Sequence, residues 1–234
     1  MRTYRWDLGA RLIPYREAWQ YQRDVHASVV AGGEDELILV EHEPVYTAGR
    51  RTASWDRPGP GVDVVDVDRG GRITWHGPGQ LVVYPIARLA APIDVVAYVR
   101  ALEQAVIDAL LQWGVHGDRV EGRSGVWVLG DDGEQDRKVA AIGVRVARGV
   151  TMHGLALNVC PDLSAFGSIV PCGINDAGVT SVTELTGSPL RVAACAGVLE
   201  PHLRRRLAPL LDRPSVGPGE GDRHEPDRSE PVHA

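Results

Sequence analysis

Lysine is almost missing from this chain: of 25 Lys and Arg residues only Lys138 is a lysine. Arginine stays protonated and cannot act as a base, whereas lysine can be tuned to do so, so the lone lysine is either kept for its chemistry or a chance survivor of a bias toward arginine. No apolar run approaches the roughly 18 residues that a membrane span needs, which excludes a spanning helix. The first residues, MRTYRWDLGA, lack the apolar stretch of an export signal, and three cysteines in 234 residues is an odd count. Free thiols in a reducing, cytoplasmic setting are expected. A net charge of −6 argues against wholesale nucleic-acid binding. The eight histidines form no closely spaced set with cysteine or carboxylate, so no metal is expected.

What is present is 44% apolar residues and 27 glycines, enough for one sizeable domain without staples. Pro14 to Ala31 reads as a helix that places Tyr15, Trp19, Gln22 and His26 on one side. Strands are predicted at Glu36–Val40, Val62–Val67, Arg72–His76 and Leu81–Ile86, the last two joined by the Gly77-Pro78-Gly79 turn. Asp94 to Trp113 is a second helix, capped by Asp94 and stopped by Gly114. Further strands follow at Gly125–Leu129, Lys138–Val146 and Thr151–Val159, then a helix from Pro189 to Leu211 with Ser188 as its cap. Strands in the middle and helices around them predict an α+β fold with a mixed or antiparallel central sheet. Residues 1–211 read as one domain, and 212–234, proline, glycine and charge, as a disordered tail.

Three stretches join glycine or proline to reactive side chains. In Arg69-Gly70-Gly71-Arg72-Ile73-Thr74-Trp75-His76 and the following Gly-Pro-Gly, exposed amides, arginines and a histidine would suit an anion or an acyl carbonyl. Two tight hairpin turns explain the same glycines equally well. Lys138 opens a strand of small residues that includes Ala141-Ile142-Gly143; on the residues alone, a solvated lysine closing the acidic loop Asp131–Asp136 is the favoured reading. Cys172 stands between Pro171 and Gly173, a turn that would leave a thiol uncrowded, whereas Cys160 and Cys195 read as small buried residues. Of the histidines, His76 has the better claim to a ligand, and His42 and His153 read as structural.

RGGRITWHGPGQ, then KVAAIGVRV with TMHGLALNV, then PCGI with GVTSV, in this order and spacing, resemble the lipoyl(octanoyl) transferases over residues 4–211. The resemblance implies a fold similar to the lipoate and biotin protein ligases. It implies a catalytic pair, Cys172 as the acylated nucleophile and Lys138 as its partner. It further implies a substrate pocket formed by Arg69 to His76, Ala141-Ile142-Gly143 and Gly154-Leu155-Ala156. The implied donor is octanoyl-acyl carrier protein. The implied acceptors are lipoyl domains of 2-oxoacid dehydrogenase E2 subunits and glycine cleavage H protein, in the first step of endogenous protein lipoylation. Thioester exchange is nearly isoenergetic and thioester to amide runs downhill, so no cofactor is expected; the protein is expected to be a monomer. An ATP-dependent lipoate or biotin ligase, a cysteine thioester hydrolase pairing Cys172 with His76 or His153, and an acyl-binding module remain as alternatives. Acidic partners would need a basic patch, for which Arg50, Arg51, Arg57, Arg69 and Arg72 are the candidates.

Overall fold

Continuous apolar runs, whose successive side chains point to opposite faces, build the centre of the molecule. The computed structural model describes residues 1–131, 134–169 and 177–212. In chain order the elements are β1 (Arg2–Arg5), α1 (Tyr15–Val30), β2 (Glu36–Val40), β3 (Val45–Ala48), β4 (Val64–Asp66), β5 (Thr74–His76), β6 (Gln80–Ile86) and α2 (Val95–Leu111). They continue with β7 (Asp118–Val120), β8 (Arg123–Val128), β9 (Arg137–Ala147), β10 (Val150–Asn158), β11 (Gly178–Val179), α3 (Val182–Thr186) and α4 (Val192–Leu207).

The main sheet runs β1-β2-β6-β10-β9-β8-β7, with β11 beside β9. The β1–β2 and β11–β9 pairs are parallel and the other pairs antiparallel, so the sheet is mixed, as the sequence predicts. Both faces are covered. Leu37, Leu39, Leu81 and Val83 join the apolar stripes of α2 and α4, while Ile38, Val40, Val82 and Tyr84 join Ala18, Val25 and Val29 of α1. Neighbouring residues thus face opposite layers, which is why β2 and β6 are buried throughout. The Asp94 side chain caps α2 by accepting the Ala97 N–H at 2.8 Å.

A smaller sheet, β4-β3-β5, stands beside the main one. The hairpin expected between Arg72–His76 and Leu81–Ile86 does not form. β5 pairs with β3 through Val45 and His76, whereas β6 is flanked by β2 and β10. The Gly77-Pro78-Gly79 turn therefore carries the chain from one sheet to the other. Gly79 has φ +84°, and a Cβ there would lie 2.5 Å from the Cys160 carbonyl oxygen, so only glycine fits. The helix expected over Pro189–Leu211 forms as α4, Val192–Leu207, but it starts later and with a different cap. Ser181 caps α3, Gly187 ends it with φ +64°, and Pro189 lies in the link to α4, whose N-cap is Arg191. The expected tail lies outside the described residues from 213 onward.

Candidate functional site

The strand pair β9–β10 forms the wall of a cavity of about 240 Å³. Ala141, Ile142 and Gly143 stand opposite Ala156, Leu155 and Gly154 in register, and all six line it. Small side chains here leave room that larger ones would fill. Val82 and Tyr84 of β6 and Tyr15 of α1 extend the wall, and Arg51, Gly122, Arg123 and Ser124 also line the cavity. None of these seven was singled out as a ligand contact from the sequence; Tyr15 was legible only as an inward position of its helix.

Segment 69–76 divides by strand alternation. Arg72, Thr74 and His76 line the cavity, whereas Ile73 and Trp75 pack on the other side with Phe166 and Ile169. Trp75 borders a second depression that also contains Cys160. Arg69 lines the cavity but is buried, and its guanidinium works as a pin. Nη1 donates to the carbonyls of Gly70 and Arg72 (3.0 and 2.8 Å), and Nη2 to Thr47 O and Oγ1 (2.8 and 2.9 Å). Gly71 lines the cavity; Gly70 does not, and its N–H instead ties the segment to β9 through the Val144 carbonyl at 2.9 Å. This close approach suits Gly143, where a Cβ would crowd Arg69 Cδ and Gly70 O, each 3.0 Å away.

Lys138 is buried in the cavity wall, 6% exposed, with Nζ 4.5 Å from the Trp127 ring centroid. The solvated lysine favoured on the residues alone is overturned. Gly125, across on β8, makes the space: with φ +117°, a Cβ there would sit 3.3 Å from Lys138 Cε and 2.5 Å from Ala140 O. Its N–H is held at 3.0 Å by Glu103, a buried carboxylate on α2 paired with Arg100 and Arg119. Cys172 lies outside the described residues. Cys195 is buried in α4, and burial pushes its thiol up to about 11. Cys160 is exposed, not buried as expected, because it follows β10 at the turn where its N–H binds the Gly79 carbonyl.

The histidines sort by their partners. The Ile13 carbonyl can only accept, so His42 carries its proton on Nδ1 (2.9 Å), and its Nε2 accepts a hydrogen bond from the Tyr84 hydroxyl (2.8 Å). Burial lowers its pKa to about 4. His76 is also buried, stacked on Tyr15 at 5.9 Å and 6°, and burial lowers it to about 3. His153 lines the cavity with φ +59°, a costly backbone for a residue with a side chain, and its Nε2 lies 2.7 Å from Asp68 Oδ1. That hydrogen bond, with Arg145 adding to it, pulls Asp68 down to about 2. On the residues alone His153 reads as structural, with a reactive role only in the hydrolase alternative. The site therefore combines a slot walled by the small and apolar residues of β9 and β10 with a buried lysine, arginines and neutral imidazoles, and it suits an aliphatic chain bearing a reactive carbonyl. Among the described residues no group of three or more His, Cys, Asp or Glu could hold a metal.

Comparison with known proteins agrees with this geometry. The family model of the lipoyl protein ligase A/B catalytic domain matches residues 14–204. An octanoyltransferase of Salinispora tropica is 57% identical over 201 residues, 86% of this chain and 94% of the relative. One from Mycobacterium avium is 61% identical over 180 residues, 77% of each chain. Among solved structures, a lipoate-protein ligase A bound with ATP superposes with a TM-score of 0.67 at 16% identity, covering 89% of this chain and 86% of that one. A lipoate protein ligase of T. acidophilum with bound lipoic acid gives 0.65 at 14%, covering 88% and 84%. This chain belongs to the lipoyl protein ligase A/B catalytic-domain family and, within it, to the octanoyltransferases.

Proposed function

We propose that this chain moves an octanoyl group from the thioester of an acyl carrier protein to a lysine amine of a lipoyl domain, by way of a thioester on Cys172. The observation that carries the reading is the small-residue slot between β9 and β10 with a buried lysine in its wall, in a chain closely similar to octanoyltransferases. The Cys172 thiolate attacks the donor carbonyl, and the carrier sulfur leaves as a thiol by taking a proton from Lys138, which becomes neutral. The acceptor amine then attacks the new thioester, Cys172 leaves as thiolate, and the proton lost by the amine passes to Lys138. A cation near a thiol raises its thiolate fraction, so the protonated lysine serves the first half and the neutral lysine the second.

Intact-mass measurement tests this: enzyme with octanoyl carrier protein and an apo lipoyl domain should add one octanoyl group to the domain without ATP. Modification that needs free octanoate and ATP would make the chain a ligase, the chemistry associated with its ATP-bound structural relative. Release of free octanoate with no modified domain would make it a hydrolase.

Chain-length choice should follow the slot. Ala141→Leu fills the wall opposite Ala156, so kcat/KM for octanoyl is expected to fall on the order of a hundredfold while a butanoyl donor is affected far less. Equal losses for both donors would remove Ala141 from the acyl site.

The basic patch proposed for docking changes in the structure. Arg69 is buried, while Arg57 pairs with Asp66 and Arg72 with Asp56. Arg50 and Arg51 remain exposed. Arg51→Glu is expected to lower kcat/KM for carrier-bound octanoyl and to flatten its fall with added salt. An unchanged salt dependence would place donor docking elsewhere.

A further inference from the structure

Behind the cavity wall, three buried polar residues form a chain whose direction is fixed by chemistry. Asn158 Nδ2 donates to the Thr180 carbonyl at 3.0 Å, and a carbonyl can only accept. Asn158 therefore turns Oδ1 toward Gln80, whose Nε2 donates to it at 2.9 Å and to the Trp75 carbonyl at 3.4 Å. Gln80 is left presenting Oε1 to His76 Nδ1, 2.7 Å away, so that nitrogen must carry the proton. Gln80 and Thr180 are almost wholly buried, and Asn158 is 5% exposed, so water does not compete for these bonds.

The sheet register sets this chain beside the reactive end of the cavity. Gln80 pairs with Asn158, and Leu157 pairs with Ala140, which brings Asn158 to the end of β9 where Lys138 sits. His76 lines the same cavity as Lys138, and the Thr180 N–H donates to the Lys138 carbonyl at 3.0 Å, which ties the anchor of the chain to the strand that carries the lysine.

We propose that Gln80 and Asn158 are positioning residues for amine transfer: their one-way hydrogen-bond chain, anchored on the Thr180 carbonyl, keeps the His76 proton on Nδ1 and leaves Nε2 as the acceptor for an N–H of the incoming amine. The inference rests on the acyl-transfer reading above. His76 orients the amine and does not deprotonate it. The titratable and charged groups facing it are Tyr15 of α1, His42, Arg69 and His153. Burial first, then His42 and the Arg69 cation, disfavour a second proton on the ring, while the Gln80 bond works the other way without overcoming them. The amine's proton is left to Lys138.

Two measurements test this. Nitrogen NMR of the unsubstituted enzyme, with the His76 signals assigned through their loss in His76→Gln, should show Nδ1 protonated and Nε2 bare. Gln80→Glu sets a carboxylate against Nδ1, favours the imidazolium and so protonates Nε2. Single-turnover kinetics should then show attack of the amine on the acyl-enzyme slowed at least roughly tenfold more than acyl-enzyme formation, the deficit shrinking as pH rises. A bare Nδ1 in the unsubstituted enzyme, or equal slowing of both half-reactions, overturns the proposal. If Gln80→Glu does not fold, the NMR result on the unsubstituted enzyme decides alone. Failure of that enzyme to form any acyl-enzyme would overturn the acyl-transfer reading, and the amine role with it, while leaving the tautomer result standing.

Discussion

Cys172→Ala and Cys172→Ser are each expected to lose octanoyl transfer by a factor on the order of 10³ or more, because covalent catalysis fails outright when its nucleophile is removed. Mixed with octanoyl carrier protein, the unsubstituted enzyme should gain one octanoyl mass and Cys172→Ala none. The other two thiols supply the control. Cys160 is exposed at the end of β10 but borders the second depression, not the slot. Cys195 is buried in α4 among the residues packed on α2, with its thiol pushed up to about 11 and so unreactive near neutral pH. Cys160→Ser should transfer normally. Cys195→Ser should also transfer, at some loss of stability, since a hydroxyl enters an apolar layer. An octanoyl adduct that persists in Cys172→Ala would overturn the acyl-enzyme assignment.

Lys138→Arg separates charge from proton transfer. Arginine preserves the cation but cannot accept a proton at working pH. Acyl-enzyme formation should therefore survive within roughly tenfold, while attack by the amine slows on the order of 10²- to 10⁴-fold, the usual contribution of a positioned acid or base. Lys138→Met should lose both halves, because it removes the cation as well. Lys138 lies against Trp127 in space opened by Gly125, so an acylation loss in Lys138→Arg greater than roughly tenfold would report the fit of the larger head group, and the ratio of the two half-reactions carries the comparison. Separate measurement of acyl-enzyme formation and decay checks this. Near-normal amine transfer in Lys138→Arg would mean that the lysine supplies charge alone.

Local signals carried much of the fold. The Asp94 cap, the apolar stripe of α2 and its Gly114 stop were all readable, as were β2, β6, β9 and β10, since long buried strands and amphipathic helices declare themselves by periodicity. The slot's floor was visible as runs of small residues, and the RGGRITWH segment as glycine beside reactive side chains. A finer signal was also present: period 2 through residues 72–76 separates Arg72, Thr74 and His76 from Ile73 and Trp75.

By itself, then, the sequence determined the α+β class, the main strands and the three long helices, and the motifs that carry the family, because each depends on side chains a few positions apart. The tertiary structure decided what depends on distant pairing. Short β1 and β3 exist only because β2, β4 and β5 pair with them, and β5 left β6 because both edges of β6 were taken by β2 and β10. Lys138 is buried rather than solvated because Gly125, held by Glu103 on α2, opens the space beside it. His76 has its tautomer set by a carbonyl 104 residues further along the chain, at Thr180, a constraint that no local pattern can encode.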